Sequence, residues 1–187
     1  MKQTIHIYYV SISMAFVFIV ACNSVNETVD LRIFSTATSI SAGEDHTCAL
    51  LSGGTVKCWG YGYYGQLGDG STTRTQSTPV SVSSISTATS VSAGEDHTCA
   101  VLSGGTVKCW GYGSYGQLGD GSTTSTQSTP VSVSSISTAT SVSAGEYHTC
   151  AVLSGDTVKC WGYGSYGQLG DGSTTSTQST PVGVLGF

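Results

Sequence analysis

Charge is what this sequence has least of. Only 9% of its 187 residues are charged, and six basic side chains stand against eleven acidic ones, for a net charge of −5. The basic residues are scattered singly, so no positive stripe exists for a phosphate backbone, which argues against DNA or RNA as a partner. Proline (three) and methionine (two) are scarce. No window carries a sustained 3.6-residue apolar period, and 25 glycines break up every stretch that begins one, which excludes a helical protein. No serine sits in a Gly-x-Ser-x-Gly elbow and no cysteines are spaced Cys-x-x-Cys. A hydrolase nucleophile of that type and a thioredoxin-like redox pair therefore have no support.

What is abundant is glycine, serine and threonine, the composition of turn-rich β structure. The front end differs. MKQTIHIYYVSISMAFVFIVAC has one Lys2, an apolar run from about Ile7 to Ala21 and a small residue before Cys22. Residues 1–21 read as an export signal rather than part of the fold. Ile19-Val20-Ala21-Cys22 resembles the lipobox of bacterial lipoproteins, which would make Cys22 the lipidated first residue of a membrane-anchored chain, with 22–33 as a polar tether; the alternative is an ordinary signal peptide with an incidental cysteine. Setting Cys22 aside, six cysteines remain in three pairs at one spacing, Cys48/Cys58, Cys99/Cys109 and Cys150/Cys160. An even number in an exported chain reads as a disulfide framework.

The pairs belong to a repeat. The segment beginning at Ser41 returns at Ser92 and at Ser143, a period of 51. Copies one and two differ only at Leu50/Val101, Tyr63/Ser114 and Arg74/Ser125; copy three departs at Tyr147, at Asp156 and in its tail. A period of this length marks solenoids, propellers or arrays. Each period holds four short stretches with strand character, predicted in the first copy at Thr38–Ala42, His46–Leu51, Thr55–Trp59 and Pro79–Val82, which is the size of a propeller blade. The strings SAGEDHTCAL, TVKCWG and YGQLGDG resemble the RCC1 (regulator of chromosome condensation) repeat, the blade of seven-bladed RCC1-like propellers. The resemblance spans Ser41 to Phe187, with repeats at about 34–84, 85–135 and 136–187. A WD40 blade would close on Trp-Asp, whereas each Trp here precedes Gly, and the double glycine of a kelch blade ends a strand, whereas Gly53-Gly54 lies in a turn. The expected fold is all-β: three four-stranded antiparallel blades forming an incomplete or open propeller, either part of a longer ring, an arc with open edges, or one of several copies completing a ring.

If Ser52-Gly53-Gly54 forms a three-residue loop, Cys48 lies opposite Cys58 and each blade can carry a cross-strand disulfide; a two-residue Gly53-Gly54 loop would slip the register and leave the cysteines diagonal. A zinc site using His46, His97 or His148 with the cysteines lacks any pair at two-to-four spacing. No metal or cofactor is expected. Trp59, Trp110 and Trp161 are assigned to packing between blades, and Leu67, Leu118 and Leu169 to anchoring a loop. Asp69, Asp120 and Asp171 are turn residues. Tyr61, Tyr63, Tyr64, Tyr112, Tyr115, Tyr163 and Tyr166 form the candidate binding surface, an aromatic rim for a protein or glycan. The acidic pair Glu44/Asp45 beside His46 has no nucleophile in view, so no enzyme activity is expected. The sequence thus points to an exported interaction module at the cell envelope. Guanine-nucleotide exchange, which the founding family implies, and inhibition of an extracellular enzyme are the alternatives.

Overall fold

The computed structural model describes residues 35–186. The leader, Cys22 and the tether lie outside the described residues. Among the described residues twelve strands fall into three four-stranded antiparallel sheets. The first holds β1 (Ala37–Ala42), β2 (His46–Leu51), β3 (Val56–Tyr61) and β4 (Thr75–Ser81). The second holds β5 (Ala88–Ala93), β6 (His97–Leu102), β7 (Val107–Gly111) and β8 (Gln127–Ser132). The third holds β9 (Ala139–Ala144), β10 (His148–Leu153), β11 (Val158–Gly162) and β12 (Gln178–Gly183). Each sheet is a meander in chain order, so each repeat is one four-stranded blade.

Two strand boundaries differ from the sequence reading by more than one residue. The third strand runs on to Tyr61, and the fourth starts at Thr75 rather than Pro79. The outer strand is mostly exposed and made of Thr, Gln and Ser, so it carries no apolar alternation to announce it. It is an edge strand, where Pro79 lacks an N–H without harm. Its pairing with β3 shifts register between Cys58 and Gly60, an irregularity repeated in the other two blades.

The central hairpin has the three-residue loop. Gly54 N donates to Leu51 O (3.0 Å) and Leu51 N donates to Thr55 O (2.8 Å). Counting outward from that bonded pair, hydrogen-bonded and non-bonded pairs alternate, so Cys48 and Cys58 meet at a non-bonded position, where strands lie closest. Disulfides join Cys48–Cys58, Cys99–Cys109 and Cys150–Cys160, each with Cα atoms 4.1 Å apart. The turn needs two residues at positive φ, Gly53 (94°) and Gly54 (82°); in blade three Asp156 takes the second place at 61°. Aspartate tolerates that region better than most side chains.

The core lies between the sheets. Leu50, Val56, Leu67, Val82 and Ile85 of blade one pack with Ala88, Val91, Ala100 and Trp110 of blade two. Val101, Val107, Leu118, Val133 and Ile136 of blade two meet Ala139, Val142, Ala151 and Trp161 of blade three in the same way. A single sheet has nothing to bury its face against, so each blade is stabilised by its neighbour. Strand β5 lies against β1 and β2, and β9 against β5 and β6.

Candidate functional site

The rim loops follow from the glycines around the tyrosines. A Cβ on Gly65 would stand 2.6 Å from Ser128 Cα in the next blade, so only glycine lets that loop approach its neighbour's outer strand. The next residue, Gln66, is fully buried and ties the junction together. Its Oε1 accepts from Tyr64 N (3.0 Å), its Nε2 donates to Asp96 Oδ1 (2.7 Å), and its carbonyl accepts from Thr98 Oγ1 and Trp110 Nε1 (both 2.9 Å). Thr98 Oγ1 has therefore given its proton to that carbonyl, and His46 Nε2, 2.8 Å away, donates to it. Gln117, Thr149, Trp161 and His97 repeat the arrangement one blade on. The tryptophans at these two junctions are fully buried, as the packing assignment requires. So are Leu67, Leu118 and Leu169.

The histidines act as struts. His97 is fully buried and its pKa is lowered to about 3, chiefly by burial, with smaller contributions from His46 and His148. His46 is lowered to about 4 by the same cause, and His148 is lowered too. The Nδ1 atoms of His46 and His97 have no hydrogen-bond partner. Neutral rings locked to threonine hydroxyls do not fit a proton-transfer role at neutral pH.

With the loops fixed in this way, the tyrosines form one belt across all three blades. Ring centroids of Tyr63 and Tyr64 are 5.2 Å apart, Tyr64 and Tyr112 5.1 Å, Tyr115 and Tyr163 5.2 Å, and Tyr163 and Tyr166 5.9 Å. Tyr61 joins through Tyr64 at 6.3 Å. All seven tyrosines singled out in the sequence are brought together. Tyr63 and Tyr166 are the open members, 53% and 87% exposed, and the others are half-buried.

The sequence reading missed an eighth member, Tyr147, whose ring stands 4.9 Å from Tyr115 and 6.5 Å from Tyr112. Its hydroxyl donates to Glu95 Oε1 (3.3 Å). Burial and Glu95 raise its pKa well above that of an ordinary phenol. The signal is an aromatic at a position where the other copies have Asp45 and Asp96. The exchange leaves Gln117 Nε2 buried without the carboxylate that Gln66 has. The glutamines were likewise unassigned, although they recur inside YGQLGDG.

Two further clusters complete the surface. Glu44, Glu95 and Glu146 surround a shallow cavity of about 400 Å³ where β1, β5 and β9 end, and burial raises the Glu95 carboxyl. Among the described residues no group of His, Cys, Asp and Glu has the disposition of a metal site. Asp69, Asp120 and Asp171 accept from the backbone N and hydroxyl of Ser71, Ser122 and Ser173, which makes them loop-folding residues.

Comparison with known proteins agrees with this geometry. Two sequence profiles of the family described as "Regulator of chromosome condensation (RCC1) repeat" match, one at residues 37–66, 88–117 and 139–168, the other at 53–101 and 104–152. The chain is 39% identical to the ultraviolet-B receptor UVR8 of Arabidopsis thaliana, over 72% of this chain and 31% of the receptor. It is 34% identical to the probable E3 ubiquitin-protein ligase HERC6 of Homo sapiens, over 77% of this chain and 14% of the ligase. It thus spans a third or less of the length of these relatives. Among solved structures, human WBSCR16 superposes with a TM-score of 0.72 at 23% identity, covering 81% of this chain and 38% of that one. Yeast RCC1 (Prp20), in its complex with Kap60, gives 0.70 at 20% identity, covering 79% and 37%. These likenesses are of fold.

Proposed function

The chain belongs to the RCC1 repeat family, and from that premise we propose that it is a non-enzymatic interaction module, exported to the cell envelope and held there through Cys22, that binds a protein or glycan partner. The observation that carries the reading is the tyrosine belt. Eight aromatic side chains converge on one rim, in mutual contact and held by a buried glutamine network, with Tyr63 and Tyr166 presenting open ring faces. Tyrosines fixed in place lose little entropy on binding and offer both a stacking face and a hydroxyl, which suits protein surfaces and sugar rings alike. Export is supported by the three disulfides, which belong to an oxidising compartment, and by the leader sequence. Self-assembly of copies into a larger propeller is part of the same reading.

A glycan array and a panel of purified envelope proteins, probed with the full chain and with Tyr63→Ser/Tyr166→Ser, test it. Position 63 is serine in the other two copies, so the fold accepts that change. Binding that falls at least about tenfold in the double variant is expected. Ligands bound equally by both proteins, or no ligand at all, refute the assignment.

A further inference from the structure

The first and last blades each leave one face without a neighbouring sheet among the described residues, and these faces carry the two halves of the junction seen twice inside the molecule. On the last blade, His148, Gln168 and Ser143 hold the places of His46, Gln66 and Ser41, whose partners all lie on the following blade: Thr98 for the histidine, Asp96, Thr98 and Trp110 for the glutamine, and Ala93 N for the serine. On the first blade, Thr47, Asp45, Trp59 and Ala42 hold the places of those partners. Thr98, Thr149, Trp110 and Trp161 are fully buried at the internal junctions, whereas Thr47 and Trp59 are not.

The apolar surface tells the same story. Ile40 is 66% exposed, while Val91 and Val142 in the same place on the next blades are 8% and 7%. Val152 on the last blade is 41% exposed, against 6% and 1% for Leu50 and Val101. Gly65 and Gly116 press on the backbones of Ser128 and Ser179, but Gly167 faces open space. Beside it lies a cavity of about 500 Å³ lined by Tyr166, Gln168, His148 and Glu146, where the internal junctions hold the next blade.

We propose that the open face of the last blade docks on the open face of the first blade of a second copy, reproducing the internal junction between chains. This deepens the self-assembly part of the function above and rests on it. The polar residues of the junction recur unchanged, whereas Asp156 stands where a Cβ at Gly54 or Gly105 would come within 2.8 or 2.7 Å of the next blade's backbone, so residues 35–37 of the second copy shift outward there. His148 Nε2 donates to the partner copy's Thr47 hydroxyl, the Gln168 carbonyl accepts from Thr47 and Trp59, and Gln168 Nε2 donates to Asp45. That last pair repeats the Gln66–Asp96 bond, which the internal junction at Tyr147 lacks, so the junction between copies is the better satisfied of the two. Two copies joined at both faces hold six blades, within the about four to eight of closed propellers, and a head-to-tail contact closes at two copies when each junction turns slightly more than in a seven-bladed ring.

Sedimentation velocity of the full chain in density-matched detergent tests this, with Ile40→Glu and Val152→Glu as the variants. Both side chains are exposed in the single chain, so neither change should lower its melting temperature by more than about 2 °C. The unaltered chain is expected as a dimer at about 100 µM, and each variant alone as a monomer, its dissociation constant raised at least about thirtyfold. Each variant keeps the face that the other has lost, so an equal mixture should regain a dimer. A monomeric unaltered chain, a variant that stays dimeric, or a mixture that stays monomeric overturns the proposal. Growth into larger multiples overturns two-copy closure. Neither residue lies in the tyrosine belt, so ligand capture by the belt reads independently of this result.

Discussion

Acidification tests the buried histidine struts directly. In the folded chain His97 has a pKa of about 3 and His46 about 4, both lowered mainly by burial; unfolded, each returns to about 6.5. Below pH 6.5 the unfolded chain therefore binds protons that the folded chain refuses. Stability is present in full above that pH and falls as the pH drops towards the folded values. Between pH 7 and pH 4.5 the linkage amounts to about 2–3 kcal/mol for each ring, or roughly 5 kcal/mol for the two, comparable with the whole stability of many domains. Glu95 and Asp96 act in the opposite direction. Burial raises their carboxyls, so the folded chain takes up those protons earlier than the unfolded one and gains stability as the pH falls. The histidine contribution is isolated by comparison with His46→Gln/His97→Gln, whose amides can still donate to the Thr98 and Thr149 hydroxyls but do not titrate. Urea unfolding at the two pH values, without reductant, should show the unaltered chain losing roughly 5 kcal/mol more than the double variant. Equal losses in the two proteins would refute the strut assignment.

Other outcomes follow from the same geometry. Cys99→Ala/Cys109→Ala opens a loop with a sequence separation of 10 and should cost about 3 kcal/mol, a fall in melting temperature of about 6–12 °C; a loss under about 1 kcal/mol would show that the bridge constrains little that the hairpin does not already hold. Gly116→Ala and Gly167→Ala impose the same substitution at similar positive φ, 80° and 75°, but only the first meets a neighbouring backbone. Thermal melts should place Gly116→Ala at least about 2 kcal/mol below Gly167→Ala, and equal effects would mean the inter-blade approach is not tight.

Much of the blade is legible in the sequence. The 51-residue period, the strand at His46–Leu51 and a third strand placed at Thr55–Trp59, two residues short of its end at Tyr61, follow from local signals, and these narrow the hairpin to two registers, of which the three-residue turn selects the one that pairs Cys48 with Cys58. The outer strand at Thr75–Ser81 was legible only at its end, because a polar edge strand has no buried face to pattern it. The tyrosines could be listed as one candidate surface, but their spacing along the chain does not show which rings touch. Tyr64 meets Tyr112, 48 positions on, because consecutive blades lie side by side. Gln66 shows the limit most clearly. In sequence it is one polar residue in a glycine-rich loop; in the fold its carbonyl and amide nitrogen join two blades at three points, while its amide oxygen holds its own loop.

The sequence by itself determined the repeat, which is read directly from its period of 51, and the all-β class and the two candidate hairpin registers, since strand and turn signals lie within about a dozen positions of one another, where chain connectivity limits the choices. Only the tertiary structure decided what the repeats do to each other. The histidine–threonine struts, the buried glutamines, the place of Tyr147 in the belt and the exposure of Ile40 and Val152 all depend on which faces meet across a distance of one period. Identical copies of one motif become different in the fold, because a side chain covered by the next blade and the same side chain facing solvent are in different environments.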